Sequence, residues 1–184
     1  TVNNGLTNNS ILSLAACGAN LFAATTIGGV FVSTNNGSSW TSVNTGLTNI
    51  HVVSLGANGA DMFAGTEGNG VFLSSNNGSS WTEINSGLIA TEIFSFATSG
   101  VNLFAGANSG VFLSSNNGSV WTPMDSGFTN VTVYSLVVNG PNIFAGTAGC
   151  GIYLSSNNGI SWNIVNNGLT HHYVYSLAVN GANI

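Results

Sequence analysis

Positive charge is missing from this chain altogether. Its 184 residues include no Lys and no Arg, and Asp61, Glu67, Glu83, Glu92 and Asp125 are its only acids. Charged residues therefore make up 3% of the chain, where about a quarter is usual. Nucleic-acid binding depends on Lys and Arg displacing counterions from phosphates, so no nucleic-acid partner is expected. Anionic membrane surfaces and phosphate-bearing substrates fall with it. No apolar run approaches the ~20 residues of a spanning helix, so no membrane insertion is expected. No signal peptide is visible, and Thr1 stands where an initiator Met would, which points to a processed chain or a fragment. Cysteine is scarce too. Cys17 and Cys150 form no CxxC or other metal-ligand spacing, and neither a metal nor any other cofactor is expected.

Hydrophobic residues are not scarce. At 43% they exceed what a disordered chain carries, and one domain with a core is expected, kept soluble by Asn, Ser, Thr and Gly. Its organising feature is the stretch Ser74-Ser75-Asn76-Asn77-Gly78-Ser79-Ser80-Trp81, which recurs at Ser33 to Trp40, Ser114 to Trp121 and Ser155 to Trp162. Successive tryptophans are 41, 40 and 41 residues apart. A period near 40 is that of a propeller blade.

Within each period the chain reads as four strands. The first is ILSLAA at 11, VVSLGA at 52, IFSFAT at 93, VYSLVV at 133 and VYSLAV at 174. Its aromatic and β-branched residues between Gly and Asn mark it as a strand. Asn-Gly turns such as Asn58-Gly59 fold the chain back into a second strand, LFAAT at 21 or MFAGT at 62. A Gly-rich loop leads to a third strand, VFVS at 30 or VFLS at 71, and the NNG turn leads to a fourth after each Trp. The chain also opens at residues 1–6 on TVNNGL, the counterpart of SVNTGL at 42–47, so 1–6 reads as a stray fourth strand.

These units predict an all-β β-propeller of four-stranded antiparallel blades of about 41 residues, with four complete blades and partial ones. Gly and Asn-Gly punctuation is too dense for helices, and a parallel β-solenoid, the competing repeat, usually has shorter coils without hairpins. The expected blades are approximately 10–47, 51–88, 92–128 and 132–169, with a partial one at 173–184, in a single domain over 1–184. Seven such blades would need about 290 residues, so an open or fragmentary ring is expected.

The pattern Ser-x-Asn-x-Gly-x-x-Trp resembles the Asp-box, or BNR repeat, in which Asp usually occupies the places of Asn35, Asn76, Asn116 and Asn157. With its flanking GVFLSS and INSGL segments, the whole chain is similar to secreted bacterial repeat proteins of the Asp-box propeller kind. The motif residues are Ser33, Asn35, Gly37 and Trp40; Ser74, Asn76, Gly78 and Trp81; Ser114, Asn116, Gly118 and Trp121; and Ser155, Asn157, Gly159 and Trp162. They read as structural: Asn caps backbone N–H groups of its own hairpin, Gly takes the turn, and Trp packs the turn on the sheet. Sialidases of this kind grip their substrate with arginines, which are absent. A glycoside hydrolase needs two opposed carboxylates, and Glu67 and Glu92 are the only pair on one rim, at loop positions that suit a solvated role. Photosystem assembly factors, which share the repeat, imply basic patches that this chain cannot make.

In such blades the NNG turns share one rim and scarcely change. The other rim varies, through NNS at 8, NIH at 49, ATE at 90, NVT at 130 and HHY at 171, beside TIGG, TEGNG, NSG and TAGCG. Variation confined to one rim of a fixed scaffold builds a binding face. Its candidates are His51, Glu67, Asn69, Glu92, Asn108, Asn130, His171, His172 and Tyr173. Neighbouring histidines on an extended segment point to opposite sides, so a shared metal is not expected. Cys17 falls on the NNG rim and Cys150 on the variable rim, too far apart for a disulfide. The expected protein is a secreted or cell-surface, non-enzymatic binding or adhesion module for a protein or glycan. The alternative is a structural subunit that joins copies of itself into a homo-oligomer or filament through open blade edges.

Overall fold

The computed structural model describes residues 2–124, 126–128 and 131–184. Among these residues there is no helix, and the strands form four antiparallel sheets of four. The first sheet holds β1 (Ile11–Cys17), β2 (Asn20–Thr25), β3 (Gly29–Ser33) and β4 (Thr41–Ser42). The second holds β5 (Val52–Asn58), β6 (Asp61–Thr66), β7 (Val71–Ser74) and β8 (Thr82–Glu83). The third holds β9 (Ile93–Ser99), β10 (Asn102–Ala107), β11 (Gly110–Ser114) and β12 (Thr122–Pro123). The fourth holds β13 (Val133–Asn139), β14 (Asn142–Thr147), β15 (Ile152–Ser155) and β16 (Asn163–Ile164). In every sheet the strands pair in chain order, the meander that the hairpin turns demand.

Two compact units are present. Unit 1 runs to Asn85 and adds Thr91–Ile93; unit 2 comprises Ser86–Ala90 and Phe94–Ile184. In unit 1, Phe22, Val30, Val52, Met62, Phe72 and Trp81 are buried together between the first two sheets. In unit 2, Phe104, Val111, Val133, Ile143, Tyr153 and Trp162 do the same. Each sheet is thus apolar on both faces, and burial of these side chains drives one sheet onto the next.

The tryptophans fasten neighbouring sheets as well as filling the core. Trp81 donates from its backbone N–H to Thr45 O at 2.8 Å and from Nε1 to Val43 O at 2.7 Å. In unit 2, Trp162 donates in the same two ways to Ser126 O and Met124 O, each at 3.0 Å. A second link runs between first strands: Leu55 N donates to Ser13 Oγ at 3.1 Å, and Leu177 N to Ser135 Oγ at 3.0 Å.

Two expectations about strands are corrected. Residues 174–179 form no ladder, although their sequence copies the other first strands; no second strand pairs with them, and a strand needs a partner. The segment is held instead by Leu177 on Ser135 and by Val174 N on Thr147 O at 2.9 Å. Residues 2–6 are likewise not a strand, and Thr1 lies outside the described residues. They do meet Trp40 as a preceding fourth strand would, Asn4 O accepting its backbone N–H and Val2 O its Nε1.

Candidate functional site

At one end of every blade the Ser-Asn-Asn-Gly turn builds the same small network. Ser74 Oγ donates to Asn76 Oδ1 at 2.9 Å and accepts from Gly78 N at 2.9 Å; Asn76 Oδ1 also accepts from Ser80 N, and Nδ2 donates to Ser80 Oγ. The network recurs around Asn35 and Asn157 with distances that differ by about a tenth of an ångström, and around Asn116 Oδ1. The second Asn of each turn, not only the Gly, takes a left-handed backbone, with φ of 55° to 57° at Asn36, Asn77, Asn117 and Asn158. Asn tolerates that region better than other side chains, so both Asn positions have a local reason. Ser33, Ser74, Ser114 and Ser155 are buried, as are Trp81, Trp121 and Trp162; Trp40 is half-buried. The Ser, Asn and Gly residues are consumed by their own hairpins, and the Trp residues by their contacts with the neighbouring sheet.

The other end differs from blade to blade. In unit 1 the structure brings together His51, Glu67, Asn69 and Glu92. His51 Nδ1 stands 3.1 Å from Glu67 Oε2, and both side chains are partly open to water. The backbones are tied as well, Glu67 N donating to His51 O, and Glu67 pairing with Glu92 in an isolated antiparallel bridge. Asn49, which the sequence did not single out, is the centre of this cluster: its Nδ2 donates to Glu67 O at 2.8 Å and to Asn69 Oδ1 at 3.3 Å, while its Oδ1 accepts from His51 N at 2.8 Å. The usable signal was the meeting of NIH with TEGNG, a base beside an acid on the same rim.

In unit 2, Asn108 contributes its carbonyl to Thr132 Oγ1 at 3.3 Å, and its buried Oδ1 has no hydrogen-bond partner. Asn130 lies outside the described residues. His171, His172 and Tyr173 are exposed. Gly151 N donates to His172 O at 2.8 Å, which fixes the backbone beside them. Tyr173 stacks near Tyr175, and Tyr175 on Tyr134, with centroids 6.3 and 5.1 Å apart. Sequence reasoning passed over Tyr134 and Tyr175, although they occupy the same place in successive first strands.

A third repeated device had no reading in the sequence. Asn85 Oδ1 accepts from Val71 N at 2.8 Å and its Nδ2 donates to Asn69 O at 2.8 Å, closing the loop before β7; Asn44 and Asn166 do the same before β3 and β15. The Asn of the V/I-N-x-G-L segments at 43–47, 84–88 and 165–169 is thereby a loop clasp.

Cys17 is buried with its Sγ 3.6 Å from Gly59 O, Cys150 is half-buried, and both are free thiols. Burial pushes the Tyr153 phenol above its ordinary range, and the Cys150 thiol beside it adds to the effect. Among the described residues no three His, Cys, Asp or Glu side chains gather as metal ligands. No helix is long and apolar enough to cross a membrane.

No protein-family model and no curated protein matches the sequence. Solved structures do match the fold. An ancestral GH74 enzyme superposes with a TM-score of 0.69 at 25% identity, over 90% of this chain and 25% of that one. The extracellular domain of a one-component system from B. thetaiotaomicron superposes with a TM-score of 0.76 at 16% identity, over 93% of this chain and 25% of that one. This chain has a β-propeller fold. A third propeller match, YCF48 bound to D1 peptide, gives 0.60 at 14% identity, over 84% of this chain and 52% of that one. The propeller segment described here thus spans about a quarter to a half of the proteins it matches.

Proposed function

We propose that this chain is a non-enzymatic, extracellular ligand-binding propeller segment with repeats of the Asp-box kind, which takes a protein or glycan at the variable ends of its blades. One observation carries the reading. At the Ser-Asn-Asn-Gly end every copy repeats one hydrogen-bond network, whereas the opposite end holds the His51–Glu67–Asn49–Asn69 cluster in unit 1 and the His172–Tyr173 segment in unit 2. Hydrogen-bonding groups placed on rigid strand ends and left open to solvent are what a binding face requires. Extracellular domains of B. thetaiotaomicron proteins among the propeller matches support the location.

The non-enzymatic part is supported by the acids of unit 1. Glu67 is engaged by His51 at 3.1 Å, whereas a glycoside hydrolase sets two carboxylates on either side of the bond it breaks. Glycan and peptide arrays probed with the labelled chain test the proposal. Binding that is lost on His51→Ala, Glu67→Gln or Tyr173→Ala is the expected result, and no binding to either array overturns it. Hydrolysis of a polysaccharide that disappears in a Glu67→Gln, Glu92→Gln double variant would overturn the non-enzymatic reading.

A further inference from the structure

Asn-Gly pairs recur along the chain, and the fold treats them in two ways. In the four Ser-Asn-Asn-Gly turns the glycine N–H is tied down. Gly37 and Gly78 donate to Ser33 Oγ and Ser74 Oγ at 2.9 Å, and Gly118 and Gly159 to Ser114 Oγ and Ser155 Oγ at 2.8 Å. All four glycines are buried. Gly78 also has no room to shift, since a Cβ there would lie 3.0 Å from Val43 and 3.1 Å from Phe22. Asn69-Gly70 is held in the same sense, Gly70 N donating to Thr91 O at 2.9 Å.

Asn139-Gly140 is left loose. It opens the turn between β13 and β14, where Asn139 pairs with Asn142. Gly140 is exposed, nothing lies within 4 Å of where its Cβ would stand, and its N–H donates to nothing among the described residues. Exposure of the asparagine itself does not separate the two groups, for Asn36, Asn77 and Asn158 are exposed and Asn139 is half-buried. What separates them is the glycine nitrogen.

That nitrogen is a nucleophile toward the preceding side chain. It gives its proton to hydroxide and bonds to the Asn Cγ; the Cγ–Nδ2 bond breaks, and Nδ2 takes up a proton from water and leaves as ammonia. Water then opens the resulting succinimide at either carbonyl, leaving aspartate or isoaspartate. Glycine is the most permissive second residue, because it has no Cβ to hinder the approach. A nitrogen that already donates to a Ser Oγ must first give up that bond, and a buried one is also out of reach of hydroxide and water.

We propose that Asn139 is a site of spontaneous deamidation, and that the serine of each repeated turn shields Asn36, Asn77, Asn117 and Asn158 from the same reaction. The serine thus preserves a repeat built on a labile dipeptide. Conversion at Asn139 adds one negative charge to a chain whose formal net charge is −5, and isoaspartate lengthens the hairpin backbone by a methylene.

Ageing the whole chain in mildly alkaline buffer tests this, with chymotryptic peptides mapped by mass because trypsin finds no Lys or Arg to cut after. Asn139 should convert at least about tenfold faster than the four turn asparagines, the factor that one held N–H bond supplies. Ser74→Ala frees Gly78 N and should speed conversion at Asn77 about tenfold while Asn158, in the other unit, keeps its rate. In urea all five sites should convert alike. An Asn139 no faster than the turn asparagines in the folded chain overturns the site, and an advantage that persists in urea overturns its origin in the fold. Ser74→Ala that leaves Asn77 unchanged, or that speeds Asn158 equally, overturns the shielding.

Discussion

Gly46 lies directly under the carbonyl of Trp81, so closely that a Cβ on it would overlap that oxygen. Its neighbour Thr45 accepts the Trp81 backbone N–H, and Val43 accepts the indole N–H. Gly46 is therefore where one blade presses on the Trp of the next, an arrangement repeated by Gly5 on Trp40, Gly87 on Trp121 and Gly127 on Trp162.

From this contact a difference between glycines follows. Gly46→Ala must move backbone away from Trp81 and strain a φ of +89°, so a loss of about 2–4 kcal/mol is expected. Gly59→Ala, with φ +62° and nothing near its Cβ, should cost only about 1 kcal/mol. Urea denaturation of the two variants checks the ranking, which equal losses would refute.

The Asn76 network makes a prediction about chemistry rather than size. Oδ1 accepts from Ser74 Oγ and Ser80 N, and an Asp keeps both acceptors while the Ser80 hydroxyl can turn to donate. Asn76→Asp should change stability by no more than about 0.5 kcal/mol, whereas Asn76→Ala, which strands those donors, should cost about 1–2 kcal/mol. Thermal melts of the pair decide it, and an Asp as damaging as Ala would count against kinship with the Asp-box.

His51 and Glu67 should separate stability from function. The pair is partly solvated, and such pairs contribute about 0–1 kcal/mol. Glu67→Gln should therefore leave the melting temperature within a few degrees while lowering affinity for whichever array ligand the wild type binds. A large drop in melting temperature with intact binding would make the pair structural.

Tyr153 sets an alkaline limit. Burial, with Cys150 adding to it, raises its phenol above the ordinary value of 10.0, so folding favours the neutral form. That contribution is complete below pH 10 and is lost as the pH climbs through the raised value. The urea midpoint of the wild type should fall above pH 10, and Tyr153→Phe should flatten that fall. An identical decline in both would assign it to other groups.

Much of the architecture is written locally. Asn-Gly turns dictate hairpins, alternating small and aromatic residues dictate strands buried on both faces, and a 41-residue recurrence dictates that each sheet stacks on a copy like itself; these are properties of neighbours in the chain, so the four blades were legible from residues alone. The Ser33, Asn35 and Gly37 turn was legible for the same reason, since its bonds span at most four residues.

What was not legible depends on which distant groups the stack brings within bonding distance. Val174–Val179 has the composition of a strand but no ladder, because a strand exists only against a partner. His51 finds Glu67, Asn49 holds Glu67 and Asn69, and Tyr175 stacks on Tyr134 because consecutive repeats within a unit set their variable ends a few ångströms apart. Repetition specifies the scaffold many times over, whereas each contact at the variable end occurs once and is chosen by how the blades pack.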